Sequence, residues 1–167
     1  SDPLQGGWGR EHKFPHPEAI DFLLIRWSQT GDASILGPVR KTLRKMEEGE
    51  IHDKVEGGFY RYATQPDWSG PNHEKMLDNN AQRLHAYLEA YQSLGEASFK
   101  SMASGILAWM NGTLLDRATG AFRGSQDASP TYAHLSTIAA RRALGPPACD
   151  PTIFANWNAM AVSALLK

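Results

Sequence analysis

The stretch DKVEGGF, residues 53–59, decides the fold because its pattern occurs three times along the chain. Each copy consists of an aspartate, three residues, a glycine, a small residue and a large aromatic residue. The other two copies are DPLQGGW at residues 2–8 and DRATGAF at residues 116–122. The interval between copies leaves room for two helices and their connections, so each repeat predicts one helical hairpin.

The segments between these glycine loops have the periodicity of helices. Residues 17–27 are apolar on nearly every side, which indicates an interior helix, whereas residues 33–48 have one apolar and one basic face, which indicates an outer helix. Further helices are predicted at 72–94, 97–115, 132–144 and 157–166. The sequence therefore predicts an all-α fold of alternating inner and outer helices, with Phe22, Leu24, Leu88, Ile106 and Leu107 buried.

The composition is that of an ordinary soluble globular protein. The 167 residues are 41% hydrophobic and 21% charged, and they predict one domain over residues 1–167. A net charge of −1 without a basic stripe argues against nucleic acid as a partner, and no apolar run is long enough to cross a membrane. We expect a cytoplasmic location. Because the last helix is apolar and uncapped, we also expect the chain to be a fragment of a larger protein that self-associates when isolated.

Five ordered motifs carry a resemblance to a known family. They are KFPHP at 13–17, GGFYRY at 57–62, Trp68 with the segment 71–81, GSQDA at 124–128, and NWN at 156–158. With these motifs the chain resembles the spermatogenesis-associated, thioredoxin-domain-containing proteins, in the part that follows the thioredoxin-like domain. The resemblance implies an α/α toroid, about half of a six-hairpin (α/α)6 barrel of the glycosidase and sugar-epimerase type, and a thioredoxin-like partner domain.

The chain departs from the motifs of this family at several ionisable positions. Asn72 stands where members usually have His, His73 where they have an aromatic residue, and Asn79 where they have Asp. Ser129 and Asn156 also stand where Asp is common. Since Asn and Ser do not exchange protons near neutral pH, acid–base roles at these positions would be lost while hydrogen bonding is retained.

The candidate catalytic residues are His73, Glu74 and Asp127. Glycoside hydrolysis requires two carboxylates that face one sugar, and sugar epimerisation requires acid–base groups on both sides of an acidic carbon. Each candidate also has a structural interpretation. Glu74 can complement the dipole of the helix that follows it, and Asp127 can be a turn former. The sequence does not decide whether the protein is an enzyme.

The candidate ligand-binding residues are Arg61, Tyr62, Trp68 and Trp157. The aromatic residues could stack on sugars, and Arg61 either binds a ligand or clamps Asp127 or Asp53 in a buried ion pair. The sequence predicts no metal centre and no cofactor. Two functions stay open: a carbohydrate-binding domain related to sugar epimerases and hydrolases, or a non-catalytic scaffold that serves the thioredoxin-like domain.

The three glycine loops are predicted to meet at one end of the helical layer. Hairpins stacked with a common handedness place equivalent loops on the same face. We therefore expect the candidate residues Arg61, Tyr62, His73, Glu74, Asp127 and Trp157 to lie along one rim, near the N-termini of the inner helices.

Overall fold

The computed structural model describes residues 1–167 and is built from helical hairpins. The long helices are α1 (Pro17–Thr30), α2 (Leu36–Glu48), α3 (Leu77–Leu94), α4 (Ala97–Trp109) and α7 (Ala155–Leu165). The shorter helices are α5 (Pro130–Ala133) and α6 (Ile138–Leu144). A 3-10 turn at Ala33–Ile35 precedes α2, and a π-helical turn at Met110–Leu114 continues α4.

Five two-residue strands tie the glycine loops to the starts of the helices. They are β1 (Lys75–Met76), β2 (Leu115–Asp116), β3 (Ala121–Phe122), β4 (Ser125–Gln126) and β5 (Cys149–Asp150). Strand β4 pairs antiparallel with both β1 and β5, with Gln126 opposite Lys75 and Cys149, while β2 and β3 form a hairpin within the third glycine loop. The second and third loops therefore lie at the same end of the helices, as the sequence predicts.

Helix α3 is the centre of the molecule. It packs against α1 on one side, α7 on the other, and α4 behind, while α2 packs against α1. Helices α1, α3 and α7 thus form one inner layer, and α2 and α4 lie outside it. One hydrophobic core joins the layers, and Val39, Leu43 and Met46 carry the buried stripe of α2 into it.

The helix boundaries differ from the prediction at two places. Residues 72–76 are extended rather than helical, because β1 pairs with β4 before α3 begins at Leu77. The predicted helix at 132–144 is interrupted and consists of α5 and α6. No helix in the chain is both long and apolar enough to cross a membrane.

The predicted core is largely confirmed, with one error. Leu24 and Ile106 are buried, and Leu88 and Leu107 are partly buried against the core. Phe22 is instead 60% exposed. At 100° per residue Phe22 lies on the side of α1 opposite Ile20, which with Leu24 forms the buried stripe, so an apolar sequence on all sides did not mean burial on all sides.

Candidate functional site

The three glycine loops share one backbone turn. In each, the aspartate carbonyl accepts a hydrogen bond from the glycine amide four residues later, and the aspartate Oδ1 accepts from amides two or three residues on. The glycine-to-aspartate N···O distances are 3.0 Å for Gly6, 2.8 Å for Gly57 and 2.8 Å for Gly120. The repeated Asp and Gly of the sequence motif therefore encode a turn.

The second loop also requires glycine for close packing. Gly57 has φ +79°, and a Cβ on it would lie 2.6 Å from the carbonyl oxygen of Gly105. Gly58 has φ +74°, and a Cβ there would lie 2.9 Å from the indole of Trp109. Both positions combine a left-handed conformation with direct contact to α4, so the loop is locked onto the outer layer.

Two buried lysines hold the first and second loops in place. Lys13 Nζ donates to Asp2 Oδ2 and to the Gly6 carbonyl, both at 2.8 Å. Lys75 Nζ donates in the same way to Asp53 Oδ2 at 2.5 Å and to the Gly57 carbonyl at 2.9 Å. This arrangement was not predicted, although the sequence carries a signal for it, because a lysine follows each of the two Gly-Gly loops and precedes an inner helix.

Asp53 is the most heavily engaged carboxylate in the chain. Arg141, which α6 contributes, donates from Nη1 to Asp53 Oδ2 at 2.6 Å and to Glu56 Oε2 at 3.0 Å. Burial alone would raise the pKa of Asp53, but the Lys75 charge and the Arg141 hydrogen bond hold that pKa at about 2. Arg141 thus makes the clamp on Asp53 that was one of the alternatives for Arg61, and its distant position in the chain carried no local signal.

Arg61 has a different partner. Its Nη1 donates to Glu74 Oε2 at 3.1 Å, and its backbone amide donates to the Asn72 carbonyl. Arg61 forms no ion pair with Asp127 or Asp53, so of the two alternatives for Arg61 the structure excludes the clamp. The segment around residue 61 is extended, so successive side chains point to opposite sides. Tyr60 and Arg61 therefore line two different cavities.

Two adjoining cavities along α1, α3 and α7 form a surface here called the inner groove. A cavity of about 490 Å³ is lined by Glu18, Asp21, Gln82, His85, Asn156 and Met160. A smaller cavity of about 170 Å³ adjoins it through the shared residues Glu18 and Gln82 and continues to Asn79 and Arg61. Three adjacent inner helices therefore line the inner groove, and six of the ten residues at its larger cavity are polar.

Two titratable residues of the inner groove face each other across α1 and α3. His85 Nε2 lies 3.8 Å from Asp21 Oδ2 and 3.7 Å from Glu89 Oε1. Burial raises the pKa of Asp21, and its Oδ1 is buried without a hydrogen-bond partner. A carboxylate beside an imidazole is a pair that can exchange protons with a bound ligand. Neither residue was predicted from the sequence, because the two are brought together only by the packing of α1 against α3.

The predicted aromatic residues are placed differently from one another. Tyr62 stacks on Phe14 with ring centroids 4.9 Å apart, and Phe14 lines the smaller cavity of the inner groove. Trp157 is half-buried and stacks on Phe154 at 4.2 Å. Trp68 is fully buried, and its indole N–H donates to the Gln5 carbonyl. The prediction that Trp68 binds a ligand is therefore wrong, because its ring packs under Gly7 of the first loop and has no free face.

His73 lies in a second, outer cavity of about 360 Å³. Tyr60 and His134 also line it, and the His73 and His134 rings are 5.4 Å apart. Burial and the neighbouring His134 lower the pKa of His73. Asp127 is exposed and borders a small adjoining cleft with His73. The single rim predicted for the site is thus divided, since His73 and Asp127 lie at the outer cavity whereas Arg61 lies at the inner groove.

The chain offers no ready metal site. No group of three or more His, Cys, Asp or Glu side chains is arranged to hold a metal ion. Cys149 is a free thiol, and burial raises its pKa.

The comparisons with known sequences identify relatives over most of the chain. No family model matches. Spermatogenesis-associated protein 20 from Mus musculus and from Homo sapiens is 37% identical over 131 residues, which is 76% of this chain. An uncharacterized protein of Caenorhabditis elegans is 32% identical over 144 residues, or 81% of this chain. The chain belongs to the spermatogenesis-associated protein 20 family. It spans 16% of the length of the mammalian relatives and 19% of the nematode one.

Solved structures show which fold this segment of the spermatogenesis-associated protein 20 family adopts. Cellobiose 2-epimerase from Bacillus thermoamylovorans matches 98% of this chain and 44% of its own, with a TM-score of 0.74 and 13% identity. A family 76 glycoside hydrolase from a bovine Bacteroides thetaiotaomicron strain matches 92% of this chain and 30% of its own, with a TM-score of 0.72 and 10% identity. The chain therefore has the hairpin arrangement of part of an (α/α)6 barrel of the six-hairpin glycosidase type.

The structure places three of the residues at which this chain departs from the family pattern. Asn79 and Asn156 line the inner groove, and Asn72 Oδ1 accepts a hydrogen bond from the Glu74 amide. The amides at 79 and 156 can bind hydroxyl groups but cannot transfer protons. In this chain Asp21, His85 and Glu18 are the titratable groups that the inner groove retains at the cavity of about 490 Å³.

Proposed function

We propose that this chain forms part of a carbohydrate-binding barrel, in which the inner groove binds the sugar and Asp21 and His85 exchange protons with it. The observation that carries the proposal is the polar cavity of about 490 Å³ among three adjacent inner helices. Paired hydrogen-bonding groups such as those of Gln82 and Asn156 suit sugar hydroxyls. The structural neighbours named as sugar epimerase and glycoside hydrolase support a carbohydrate ligand by analogy of fold only.

The stacked rings of Phe14 and Tyr62 support the same proposal. Phe14 is 45% exposed and stands at the end of the smaller cavity, next to Arg61. An exposed aromatic ring beside polar groups is a suitable platform for the apolar face of a sugar. Within this proposal Arg61, Tyr62 and Trp157 bind the sugar, as the sequence predicts. Glu74, which the sequence offers as a catalytic residue, is instead a positioning residue that orients Arg61.

Calorimetry of the full-length protein against a panel of mono- and disaccharides tests the proposal. We expect a binding sugar whose affinity falls at least tenfold in Gln82→Ala, since hydrogen bonds within a bound site are worth about 0.5–1.5 kcal/mol each. Gln92→Ala is the matched control, because Gln92 lies on the same helix and contacts only the Lys167 carbonyl. Absence of binding by every sugar would reject a carbohydrate function.

Proton exchange is tested separately. The full-length protein is incubated with each binding sugar in deuterated water, and incorporation of deuterium at carbon is followed by mass spectrometry. If His85 exchanges protons, His85→Asn stops incorporation, whereas His134→Asn at the outer cavity leaves it unchanged. The opposite result would assign the chemistry to the outer cavity and to the predicted residues His73 and Asp127.

A scaffold that serves the thioredoxin-like domain is the alternative function, and one observation favours it. Helix α1 exposes Phe22 and Ile25, and α7 exposes Val162 and Leu165. Such side chains suit contact with another protein surface. The scaffold function predicts that Phe22→Glu with Ile25→Ser weakens cross-linking of the thioredoxin-like domain to α1 in the full-length protein. Sedimentation of the isolated chain at increasing concentration tests the expected self-association.

A further inference from the structure

Arg83 is a buried cation that lacks a carboxylate partner. It is 2% exposed, and its Nη2 donates to the Arg61 carbonyl at 2.8 Å. Its Nε and Nη1 are buried without any hydrogen-bond partner. Donors of an ionised group that are left unsatisfied in the interior cost several kcal/mol in general, so a fold rarely tolerates them without a purpose.

The other buried cations of the chain show how unusual Arg83 is. Lys13 pairs with Asp2, Lys75 pairs with Asp53, and Arg141 pairs with Asp53 and Glu56. Arg83 makes no salt bridge, and its guanidinium carbon lies 5.5 Å from the centroid of the Phe59 ring. Burial lowers the pKa of Arg83 to about 9, which still leaves it positively charged at neutral pH.

A cavity adjoins this unpaired charge. Arg83 lines the space of about 170 Å³ at the end of the inner groove, together with Phe14, His16, Asn79 and Arg61. The other ionisable groups of this cavity have partners, since Arg61 Nη1 donates to Glu74 Oε2 and His16 Nδ1 lies 2.9 Å from Glu18 Oε1. Arg83 is the arginine of this cavity that has no carboxylate partner. The volume exceeds several times the roughly 30 Å³ occupied by one water molecule, so a polyatomic group can fit.

We infer that the cavity at Arg83 binds an oxyanion, a carboxylate or phosphate group, whose oxygen atoms accept the unpartnered N–H groups of the guanidinium. Because the cavity continues into the inner groove, the oxyanion is carried by the sugar, which makes the substrate class an acidic sugar. The oxyanion site stands on the geometry of Arg83 alone, whereas its assignment to a sugar rests on the proposed function. Surrounding side chains must rotate to admit the group, since Nε and Nη1 are covered from solvent.

A purely structural role for Arg83 makes a different prediction. In that role the guanidinium packs on Phe59 and holds the Arg61 carbonyl, and added anions would leave it unaffected. A readout that responds to anion binding at Arg83 itself therefore separates the two roles. The chemical shift of the arginine Nε–H group in nuclear magnetic resonance is such a readout, and it needs no variant that might fail to fold.

The experiment uses the full-length protein and four probes: inorganic phosphate, glucuronate, glucose 6-phosphate and glucose. Calorimetry measures affinity, and the Nε–H resonance assigned to Arg83 is followed in parallel. We expect one of the two acidic sugars to bind at least tenfold more tightly than glucose and to shift that resonance. Glucuronate carries a carboxylate and glucose 6-phosphate carries a phosphate, so the sugar that binds more tightly identifies the oxyanion that the cavity accepts.

Variants sharpen the result. Arg83→Met should abolish the preference for the acidic sugar over glucose, and Arg83→Lys should retain part of it. Arg26→Met is the matched control, because Arg26 is exposed on α1 and contacts only Gln29. If Arg83→Met does not fold, Arg83→Lys and the wild-type resonance carry the test.

The outcomes separate this inference from the proposed function. Binding of glucose with no gain for either acidic sugar would overturn the oxyanion site and leave the carbohydrate function intact. Binding of phosphate that shifts the Arg83 resonance, without binding of any sugar, would support the oxyanion site and reject its assignment to a sugar. If no anion shifts the Arg83 resonance, the oxyanion site is wrong.

Discussion

The second and third glycine loops have the same turn, but different contacts hold them in place. In both, an asparagine of the next inner helix forms two hydrogen bonds with the backbone of the aromatic residue in the loop. The distances are 2.7 and 3.0 Å between Asn80 and Phe59, and 2.8 and 3.0 Å between Asn158 and Phe122. The two copies differ in the residue that stands five positions before each asparagine. The second has the buried Lys75, and the third has Ile153, which is 43% exposed.

This difference distinguishes the residues that form the turn from the residues that fix its position. An aspartate, a glycine and a helix asparagine suffice to form the loop, because the third copy has these and keeps the geometry. The third copy lacks the buried cations Lys75 and Arg141 that pair with the motif aspartate Asp53 in the second copy. These pairs connect the second loop to the start of α3 and to α6, so it is held from two sides.

The largest expected effect concerns the aspartates. Asp53→Ala removes the carboxylate that Lys75 and Arg141 share, and breaking a buried ion pair on one side costs about 3–5 kcal/mol. Asp116→Ala in the third loop removes hydrogen bonds to Ala118 and Thr119 and a partly exposed 3.9 Å ion pair with Arg123, and it should cost about 1 kcal/mol. Urea denaturation measures both free energies of unfolding. Equal losses would mean that the buried charges add nothing to the turn.

A second effect comes from the glycines. Gly57 and Gly120 have nearly equal φ, +79° and +74°, but only Gly57 has a neighbour within contact distance of a Cβ. Both Ala substitutions should incur the strain of a left-handed residue, about 1–2 kcal/mol. Gly57→Ala should lose a further 1–3 kcal/mol, roughly, from the clash with the Gly105 carbonyl. Thermal and urea unfolding check the difference, and a Gly120→Ala as damaging as Gly57→Ala would contradict it.

The sequence predicted the loops better than the site for physical reasons. Turn geometry and helix periodicity are local, so the repeat at residues 2–8, 53–59 and 116–122 and the long helices could be recognised from spacing. The clamp of Arg141 on Asp53 depends on how α6 folds back over the second loop, and no local pattern records that contact. Asp21, His85 and Arg83 were missed because their roles come from the packing of α1 against α3, which brings distant residues together.

The asparagines allow the shared part of the two loops to be tested. Asn80 is fully buried and also donates to the Met76 carbonyl, so Asn80→Ala leaves several buried backbone groups unsatisfied and should cost about 2–3 kcal/mol. Asn158 is only partly buried and its substitution by Ala should cost about 1 kcal/mol. Hydrogen exchange of the Phe59 and Phe122 amides should accelerate in the corresponding variant and not in the other. If neither amide responds, the asparagines do not hold the loops.

The last effect is a dependence of stability on pH to which Asp53 of the second loop should contribute. The pKa of Asp53 falls from its usual 3.8 to about 2 on folding, through the Lys75 charge and the Arg141 hydrogen bond acting against burial. A depressed pKa means that the folded state favours the ionised carboxylate, so its contribution is complete above pH 3.8 and is lost as the pH falls towards 2. At 1.36 kcal/mol for each pKa unit, this contribution is about 2 kcal/mol.

Urea denaturation between pH 5 and pH 2, about the range of the titration, should therefore show a smaller loss of stability in Asp53→Asn than in the wild type. Asp116→Asn should follow the wild-type curve. Asp2 in the first loop also has a lowered pKa, chiefly through its hydrogen bond to Lys13, so part of the pH dependence should persist in Asp53→Asn and decrease further when Asp2→Asn is added. An unchanged curve in Asp53→Asn would show that the Lys75 and Arg141 charges do not stabilise the ionised form of Asp53.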